Sequence, residues 1–318
     1  MEKVIVETNK RPLKKEKKMK PPLAMRIKRE WKKNWFAYII LLPIMAHFII
    51  FQVIPFVFSF VLTFMQYRVI GRSDFVGLRN WEQLFSDPLA WKAIWNTVLF
   101  SVYYILPTMA LGLILALIIK SGVKFTNLFK GIFFLPVVTS FVVVAGIWDW
   151  LFTGTESGFI NYILSFFGIK PQLFLADSSQ ALLVLAGLSI FKVSGSTMIY
   201  YFAGLQSIPK DMYEAAKMDG ASPFRTFWSI TFPLLKPIHF YVLIITTIGS
   251  FQVFDSAYLL TSGGPNFSTI TIVYYLYTIG FTNLNFGYAA VLSYVLFAII
   301  LVISLIQRKY FGKDQGIY

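Results

Sequence analysis

Long apolar runs, each followed by a short polar segment, set the pattern of this chain. A helix that crosses the hydrocarbon core of a membrane needs ~20 consecutive, mostly apolar residues. Six runs reach that length, and Pro43 and Pro55 are expected to kink the first of them. The pattern therefore predicts six membrane-spanning helices, at about 36–65, 94–119, 132–152, 181–205, 238–260 and 286–306.

The predicted fold class is an all-α polytopic membrane protein. Backbone in lipid must satisfy its own hydrogen bonds, and a helix does so within one segment. Residues 35–310 form the predicted membrane domain, which includes a polar loop at 208–237. Residues 1–34 are predicted to be a disordered basic tail because they lack an apolar face, and residues 311–318 a second, short tail.

The composition supports this class and excludes several kinds of chemistry. Hydrophobic residues make up 57% of the chain and charged residues only 14%, whereas soluble domains are about 25% charged. The chain has no cysteine, which excludes disulfides, thiol catalysis and thiolate metal sites. His47 and His239 are its only histidines and lie far apart. We therefore predict no catalytic residue and no metal site.

The distribution of charge indicates the orientation. Residues 1–34 carry 13 of the 29 Lys and Arg residues, directly before the first span. With the amino terminus inside, the predicted inner segments hold 23 of the 29 and the outer segments 5, which is a positive-inside distribution. Both termini and the 208–237 loop are therefore expected in the cytoplasm. Because the basic tail lies beside a span, its expected partner is membrane lipid and not nucleic acid.

The first half of the 208–237 loop has the signals of a short helix. Pro209 can occupy a first helical turn, where no amide hydrogen is missed. Asp211 and Glu214 then lie near the positive end of the helix dipole. Gly220 can end the helix, because glycine adopts the left-handed cap most easily.

The second half of the loop has the signals of another helix. Ser222-Pro223 provides an N-cap followed by proline at the first helical position, and Pro233 and Pro237 are expected to end the helix. The loop is thus predicted to be a helical hairpin. The local signals leave open whether it docks on a partner or only reverses the chain. Its available apolar contacts are Met212, Met218, Phe224 and Phe227.

A motif in the hairpin resembles the signature of ABC-importer permeases, E-A-A-x3-G-x9-I-x-L-P. The chain has Glu214-Ala215-Ala216, Gly220, Ile230 and Pro233, with Phe232 in place of the leucine. Other pieces are similar to carbohydrate permeases of the maltose and glycerol-phosphate group. The resemblance covers roughly residues 35–310, and these pieces are 77–81, 85–88, 134–136, 147–152, 260–265 and 286–289.

This resemblance implies the six-span permease fold of a type I importer, with the hairpin as its coupling helix. It implies a second permease subunit, two ATP-binding-cassette ATPases that bind ATP and Mg²⁺, and an extracellular or periplasmic solute-binding protein. Glu214 and Gly220 would seat the hairpin in a cleft of the ATPase. The chain has no G-x-x-x-x-G-K-[ST] motif, so no cofactor of its own is expected. The other residues expected on this contact surface are Ala215, Ala216, Met218, Asp219 and Phe224.

Polar residues inside apolar spans are candidate solute contacts, because placing them there is costly. A sugar is bound by hydrogen-bonding side chains and by aromatic rings that pack on its apolar face. The resemblance puts solute contacts in the spans on either side of the hairpin, at about 192–200 and 246–258. The solute path predicted within these regions consists of Lys192, Ser196, Tyr200, Ser250, Gln252, Asp255 and Tyr258.

Some of these residues have a structural alternative. Ser196 and Ser250 also suit helix packing, since small hydroxyl residues are common where membrane helices meet. An unpaired lysine in a span costs ~2.5–3.5 kcal/mol, so Lys192 is expected to contact solute or to pair, with Asp255 as the candidate partner. Asp149, between two tryptophans, is typical of an interfacial belt.

The sequence therefore predicts the membrane subunit of an ATP-driven importer for a sugar or oligosaccharide. Glycerol phosphate and peptides are alternative solutes, although a phosphate would need several Arg or Lys residues along the path and only Lys192 is there. A secondary transporter would need inverted repeats and broken helices around a midplane site. A membrane enzyme would need a cluster of His, Asp or Glu residues. The sequence offers no convincing sign of either pattern.

Overall fold

The structure, a computed structural model, describes residues 23–68, 73–122 and 124–312, with side chains from residue 33 onward. The predicted tails lie outside the described residues up to residue 22 and from residue 313. The first helix already begins at Leu23, and its geometry is interrupted at Asn34 (φ −120°, ψ 19°). The chain divides into two units, one up to Phe58 and one from Ser59 onward.

The first predicted span is a helical run with one irregular turn. α1 (Leu23–Phe48) continues through a π-helical turn (Ile49–Val53) into α2 (Ile54–Leu62). Pro43 lies inside α1, and the π turn directly precedes Pro55, which cannot donate a backbone hydrogen bond. The run ends at Leu62, somewhat earlier than residue 65, because the next residues leave the helix for a short strand.

The rest of the described chain consists of helices, the turns and loops between them, and two short strands, β1 (Met65–Gln66) and β2 (Asp74–Phe75), which pair antiparallel. Four helices of the described residues are long and apolar enough to cross a membrane, or six if each of two bent pairs forms one span. This agrees with the six predicted spans. The remaining helices are α3 (Arg79–Ser86), α4 (Pro88–Lys120), α5 (Thr126–Val138), α6 (Phe141–Leu151), α7 (Phe159–Ser165), α8 (Ala181–Ser207), α9 (Lys210–Met218), α10 (Pro223–Thr226), α11 (Phe232–Leu234), α12 (Lys236–Phe251), α13 (Ile272–Tyr277) and α14 (Phe286–Phe311), with a 3₁₀ turn at Phe174–Ala176 and π turns at Phe227–Thr231, Ala257–Thr261 and Thr278–Thr282.

The second and fourth spans, α4 and α8, pack along each other and form the core of the second unit. Gly112 permits this close approach, because a Cβ atom there would lie 2.4 Å from Cγ2 of Thr197. Leu115, Met198 and Tyr201 are buried around the crossing. Small residues let membrane helices approach closely, so the position of a glycine fixes where these two helices touch.

The third predicted span, 132–152, is not one continuous helix. It consists of α5 and α6, whose axes differ by 98°. The break falls at Thr139 and Ser140, which both have extended ψ angles (144° and 137°). Pro136 lies one turn before the break, and proline removes a helical hydrogen bond. The apolar pattern alone did not reveal the bend, because both halves are apolar.

The fifth and sixth spans also differ from their predicted limits. α12 ends at Phe251 and not near residue 260, because the chain leaves the helix at Gln252. The α10–α11 segment precedes α12 at a bend of 65°. α14 continues to Phe311, beyond the predicted end near 306.

Short helices lie in the predicted outer segments. α3 and α7 follow Gly77 and Gly158. α13 and the π turn after it, together 272–282, form an apolar helix between the predicted fifth and sixth spans. Its run is shorter than a span, so a length criterion of ~20 residues passes over it.

A buried cluster joins the start of α4 to α13 and α14. The Asp87 carboxylate caps α4 by accepting hydrogen bonds from the amides of Leu89 (2.9 Å) and Ala90 (3.2 Å). It also accepts from the hydroxyls of Tyr275 (2.6 Å) and Tyr288 (2.7 Å). Burial by itself would raise the pKa of Asp87, but these four hydrogen bonds to the charged form hold the pKa below its usual value.

Asn80 and Gly287 bring the end of the first span to the same cluster. The Asn80 side-chain amide donates to the carbonyls of Thr63 and Met65, both at 3.0 Å. Gly287 leaves room for this contact, because a Cβ atom there would lie 2.2 Å from the Met65 carbonyl and 2.7 Å from Nδ2 of Asn80. Three sequence pieces that resemble carbohydrate permeases, 77–81, 85–88 and 286–289, therefore meet in one place.

We expect Tyr288→Phe to lower the stability of the assembled protein. The substitution removes one hydrogen bond to an ionised carboxylate, at a cost of about 1–2 kcal/mol for a partly buried acceptor. Thermal unfolding in detergent measures the loss, with Tyr310→Phe, an exposed tyrosine, as the control. Because the pKa of Asp87 is lowered, its stabilisation is present at neutral pH and is lost as the pH falls through that pKa. If the unfolding temperatures of the original protein and Tyr288→Phe differ as much in acid as at neutral pH, this account is wrong.

Candidate functional site

The first helix of the 208–237 hairpin, α9, ends as the sequence predicts. Gly220 has φ +69° and lies two residues after the helix. The Ala221 amide donates to the Ala216 carbonyl (2.9 Å) and the Gly220 amide to the Lys217 carbonyl (3.1 Å). These two bonds form a Schellman motif, which needs a left-handed residue in this position. The spacing between the alanines and the glycine of the motif is therefore the spacing of a helix end.

The second helix of the hairpin starts as predicted but ends differently. The Ser222 hydroxyl accepts a hydrogen bond from the Arg225 amide (3.3 Å), and proline occupies the first helical turn. The helical run passes through a π turn and ends at Leu234. Pro233 lies inside the first turn of α11, and Pro237 lies in the first turn of α12. Proline is tolerated in a first turn, so neither residue ends the helix, and the bend falls between them.

The hairpin is fixed to the ends of α4 and α8. The Lys120 ammonium donates to the Tyr213 hydroxyl (2.9 Å) and to the Leu205 carbonyl (3.2 Å), and it lies 4.2 Å from the centre of the Tyr213 ring. The Tyr213 hydroxyl is also 3.2 Å from Oγ1 of Thr231, in the second half of the hairpin. Tyr213 thus joins both halves of the hairpin to the core pair of spans.

The opposite side of the hairpin is exposed. Glu214 and Ala215 are exposed, and Met218 and Phe224 are 88% and 75% exposed. A cavity of about 360 Å³ lies between the two helices of the hairpin, where the small alanines leave room. We call this exposed side and its cavity the hairpin face. The cavity is lined by residues that include Met212, Ala215, Ala216, Asp219, Arg225 and Ile230.

Lys192 lies beside the break in the third span. Its ammonium donates to the carbonyls of Pro136 (2.7 Å), Val137 (2.9 Å) and Thr139 (2.7 Å). A lysine ammonium has three N–H donors, so these contacts leave none for a solute. The Asp255 carboxylate attracts the Lys192 charge, but the hydrogen bonds of Lys192 are to backbone carbonyls.

Two of the predicted path residues meet in a cavity between spans. Gln252 and Asp255 follow the end of α12 and line a cavity of about 180 Å³. Both side chains are exposed to that space or to solvent. Residues from α4, α6 and α8 complete its wall, and the lining includes Phe100, Tyr104, Phe141, Ser189, Phe254 and Ser256.

Other predicted path residues do not line this cavity. The Ser250 side chain is buried and its hydroxyl donates to the Thr247 carbonyl of its own helix (2.8 Å). The Tyr200 ring packs edge-on against Tyr241 at 5.2 Å. Tyr258 stacks on Phe254, a cavity residue, at 5.2 Å. Ser196, on α8, is partly buried and does not line this cavity either.

The contribution of α4 to the cavity was not predicted from the sequence. Phe100 and Tyr104 are four residues apart and stack on each other at 5.7 Å, a spacing that places both on one helix face. Ser189, on α8, is also a lining residue and was missed because a single small polar residue is common in a span. The described residues include no group of three or more His, Asp or Glu side chains that could hold a metal ion.

Comparison with known proteins identifies similar chains. Residues 108–310 match a family described as "Binding-protein-dependent transport system inner membrane component". The chain is 34% identical to the arabinooligosaccharides transport system permease protein AraP of Bacillus subtilis, over 90% of this chain and 91% of that one. It is 31% identical to the trehalose/maltose transport system permease protein MalF of Thermococcus litoralis, over 89% and 95%.

The similarity extends to one further relative and to a solved structure. The sn-glycerol-3-phosphate transport system permease protein UgpA of Agrobacterium fabrum is 35% identical over 76% of this chain and 82% of its own. A chain in the crystal structure of a bacterial ABC transporter that imports the acidic polysaccharide alginate superposes with a TM-score of 0.79, at 26% identity, over 92% of this chain and all of that one.

We expect Gly220→Ala to loosen the end of α9. A β-carbon at φ +69° is strained by about 1 kcal/mol, whereas no atom lies within 4 Å of the position to block it sterically. Hydrogen–deuterium exchange of the α9 amides should therefore become faster in Gly220→Ala and less so in Gly220→Asn, because asparagine tolerates the left-handed region. Gly131→Ala, where φ is not positive and space is also open, is the control. Equal exchange in all three variants would show that the cap does not depend on glycine.

Proposed function

Because the chain belongs to the family of binding-protein-dependent transport system inner membrane components, we propose that it is the membrane-spanning permease subunit of an ATP-driven importer for a sugar or oligosaccharide. The chain is a multi-pass membrane protein and a transport subunit, not an enzyme. Family membership confirms the resemblance to ABC-importer permeases. In such systems a separate ATPase subunit hydrolyses ATP, so ATP and Mg²⁺ belong to the partner.

The hairpin face is the observation that carries the proposed coupling to an ATPase. Its helices are capped at fixed residues and held from behind by Tyr213 and Lys120. Two large apolar side chains, Met218 and Phe224, and the Glu214 side chain are exposed on the hairpin. Exposed apolar side chains around a groove are typical of a helix that docks on a partner. We assign the contact with the ATPase to Glu214, Ala215, Ala216, Met218, Asp219, Gly220 and Phe224.

The proposed solute is a neutral sugar, which enters through the cavity beside Gln252 and Asp255. An amide and a carboxylate can both accept hydrogen bonds from sugar hydroxyls, and Phe254 and Tyr258 offer stacked aromatic faces close by. Relatives named for arabinooligosaccharides and for trehalose and maltose favour the same class. In this assignment Ser196 and Tyr200 line the route nearer the inner face, the buried Ser250 supports the route from within α12, and Lys192 acts on the wall of the cavity.

Glycerol phosphate is the second candidate solute, because one relative is a permease for it. An anionic phosphate is bound by arginine or lysine side chains. The lining of the cavity includes no such residue in the described chain, and Asp255 would repel an anion. The electrostatics of the cavity therefore favour a neutral solute.

The proposed assembly has four further components. They are a second permease, two ATPase subunits and a solute-binding protein outside the membrane. One related crystal structure contains a bacterial alginate ABC transporter in complex with an alginate pentasaccharide-bound periplasmic protein, which favours a binding protein here as well. The positive-inside distribution of charge favours a cytoplasmic location for both termini and the hairpin, and residues 1–34 would contact anionic lipid there.

Reconstitution tests the proposed function directly. Proteoliposomes that contain the two permeases and the ATPases, with the binding protein outside, should accumulate a labelled sugar only when MgATP is inside. The panel consists of arabinotriose, maltotriose, trehalose and glycerol 3-phosphate. Accumulation by liposomes that contain this chain alone would contradict the dependence on an ATPase, and a preference for glycerol 3-phosphate would contradict the sugar assignment.

Glu214→Lys should detach the ATPase without preventing membrane insertion. Reversal of a charge in a protein interface costs about 2–5 kcal/mol, which weakens binding by at least about tenfold. Co-purification of the ATPase with the tagged permease measures the effect. Glu156→Lys, at an exposed glutamate of the loop after α6, is the matched control. Equal recovery of the ATPase with both variants would remove Glu214 from the interface.

Gln252→Ala and Asp255→Asn should raise the KM of sugar uptake more than they lower kcat. Loss of one hydrogen bond to a sugar hydroxyl is worth about 0.5–1.5 kcal/mol, or roughly a threefold to tenfold change in affinity. Uptake kinetics in the proteoliposomes measure both constants. Asp149→Asn removes an exposed carboxylate from the end of α6 and should leave KM unchanged. If all three variants behave alike, the cavity does not bind the solute.

A further inference from the structure

The break in the third span exposes backbone carbonyls that need donors. The last four carbonyls of any α-helix have no partner within the helix, and α5 ends abruptly because Thr139 and Ser140 are extended. The next helix, α6, leaves at an angle of 98°, so it cannot continue the hydrogen-bond ladder. A carbonyl left without a donor inside a membrane costs several kcal/mol.

Lys192 supplies the donors that this helix end requires. It hydrogen-bonds the carbonyls of Pro136, Val137 and Thr139 at 2.7–2.9 Å. A cation at the carboxyl end of a helix is also favoured by the helix dipole. The same contacts satisfy the ammonium, which would otherwise be an unpaired charge in a span. The Lys192 side chain thus gives the carbonyls at the break their donors and gives its own charge its acceptors.

Gly195 lets α8 come close enough for this contact. It lies three residues after Lys192, and residues at that spacing share one helix face. A Cβ atom at Gly195 would lie 2.2 Å from the Phe133 carbonyl and 3.0 Å from the Cα atom of Phe134. The two helices therefore touch through their backbones at Gly195, and Lys192 reaches the end of α5 from there.

The end of α5, which Lys192 caps, lies next to the cavity lined by Gln252 and Asp255. Phe141, the first residue of α6, lines the cavity, and so does Val193, the neighbour of Lys192 on α8. The direction in which α6 leaves the break therefore decides where this wall of the cavity stands. We propose that Lys192 is a positioning residue, which fastens the carboxyl end of α5 to α8 and so holds the bend that forms one wall of the cavity.

Asp255 has a secondary part in this arrangement. It lines the same cavity and attracts the Lys192 charge, but it accepts none of the three hydrogen bonds of the ammonium. Removal of the Asp255 charge should therefore leave the bend in place, whereas removal of the Lys192 ammonium should release it. The inference concerns the cavity of the proposed function, but its geometry can be measured without any solute.

Distances between spin labels across the bend test the proposal. The chain has no cysteine, so nitroxide labels can be attached at Leu128→Cys on α5 and Ile147→Cys on α6, both exposed positions. The measurement uses the full-length chain in its complex with cysteine-free partner subunits. We expect Lys192→Met to shift and broaden the distance distribution, and Lys192→Arg, which keeps the charge and the donors, to recover most of the original one.

A second readout follows the opening of the break itself. Hydrogen–deuterium exchange of the Thr139 amide, which donates to the Leu135 carbonyl at the end of α5 (3.1 Å), should become about tenfold faster when Lys192 is replaced by Met, because each lost hydrogen bond to a partly buried carbonyl shifts a local opening equilibrium by about that factor. If Lys192→Met fails to assemble, Lys192→Gln, which retains two donors, takes its place in both measurements.

The controls separate the proposed contact from general destabilisation. Lys130→Met removes another lysine between α5 and α8, which lies 4.2 Å from the centre of the Phe202 ring and caps no helix break; it should change neither readout. Asp255→Asn should also leave the distances unchanged. The proposal is overturned if Lys192→Met retains the original distribution, or if Asp255→Asn changes it as much, because the ion pair would then hold the bend. The distance measurement requires neither solute nor ATP. The positioning role of Lys192 can therefore be disproved while the proposed function stands.

Discussion

The need to satisfy every backbone polar group within lipid governs this structure. Continuous helices meet it by themselves, and at several departures from a helix a polar side chain from elsewhere supplies the hydrogen bonds. Lys192 caps the break in the third span, and the Asn80 side-chain amide donates to the Thr63 carbonyl at the end of the first span. Asn96, on α4, donates to the carbonyls of Phe267 and Ile270 in the loop before α13. Polar residues in the spans are thus first of all partners of the backbone.

The two ends of the second unit differ in how their side chains are bonded and exposed. At the predicted outer end, Asp87, Tyr275 and Tyr288 form a buried cluster with short hydrogen bonds. At the predicted inner end, the hairpin is held by Tyr213 on one side and leaves its other side exposed. The hairpin, which is fixed to α4 and α8, is the proposed connection through which movement of a bound ATPase would reach the cavity.

The motif residues have physical roles that do not depend on the family. Gly220 supplies the left-handed residue of a Schellman motif, and the preceding alanines keep the groove of the hairpin face open. Gly287 makes room for Asn80. In the membrane, Gly112 and Gly195 set the distances between helices. The Schellman motif accounts for the spacing between the alanines and the glycine of the motif.

Much of the fold could be predicted from the sequence, because span length, positive charge and helix caps act locally. The six spans, the hairpin with its stop at Gly220 and the start at Ser222 follow from residues close together in the chain. The 98° bend, the early end of α12 and the helix at 272–282 could not be predicted, because apolar composition is the same in a straight and in a broken span. The role of Lys192 depends on carbonyls more than fifty residues earlier in the chain. The grouping of Gln252 and Asp255 with Phe100 and Tyr104 likewise required the tertiary structure, because only the packing of α12 against α4 brings those distant residues to one cavity.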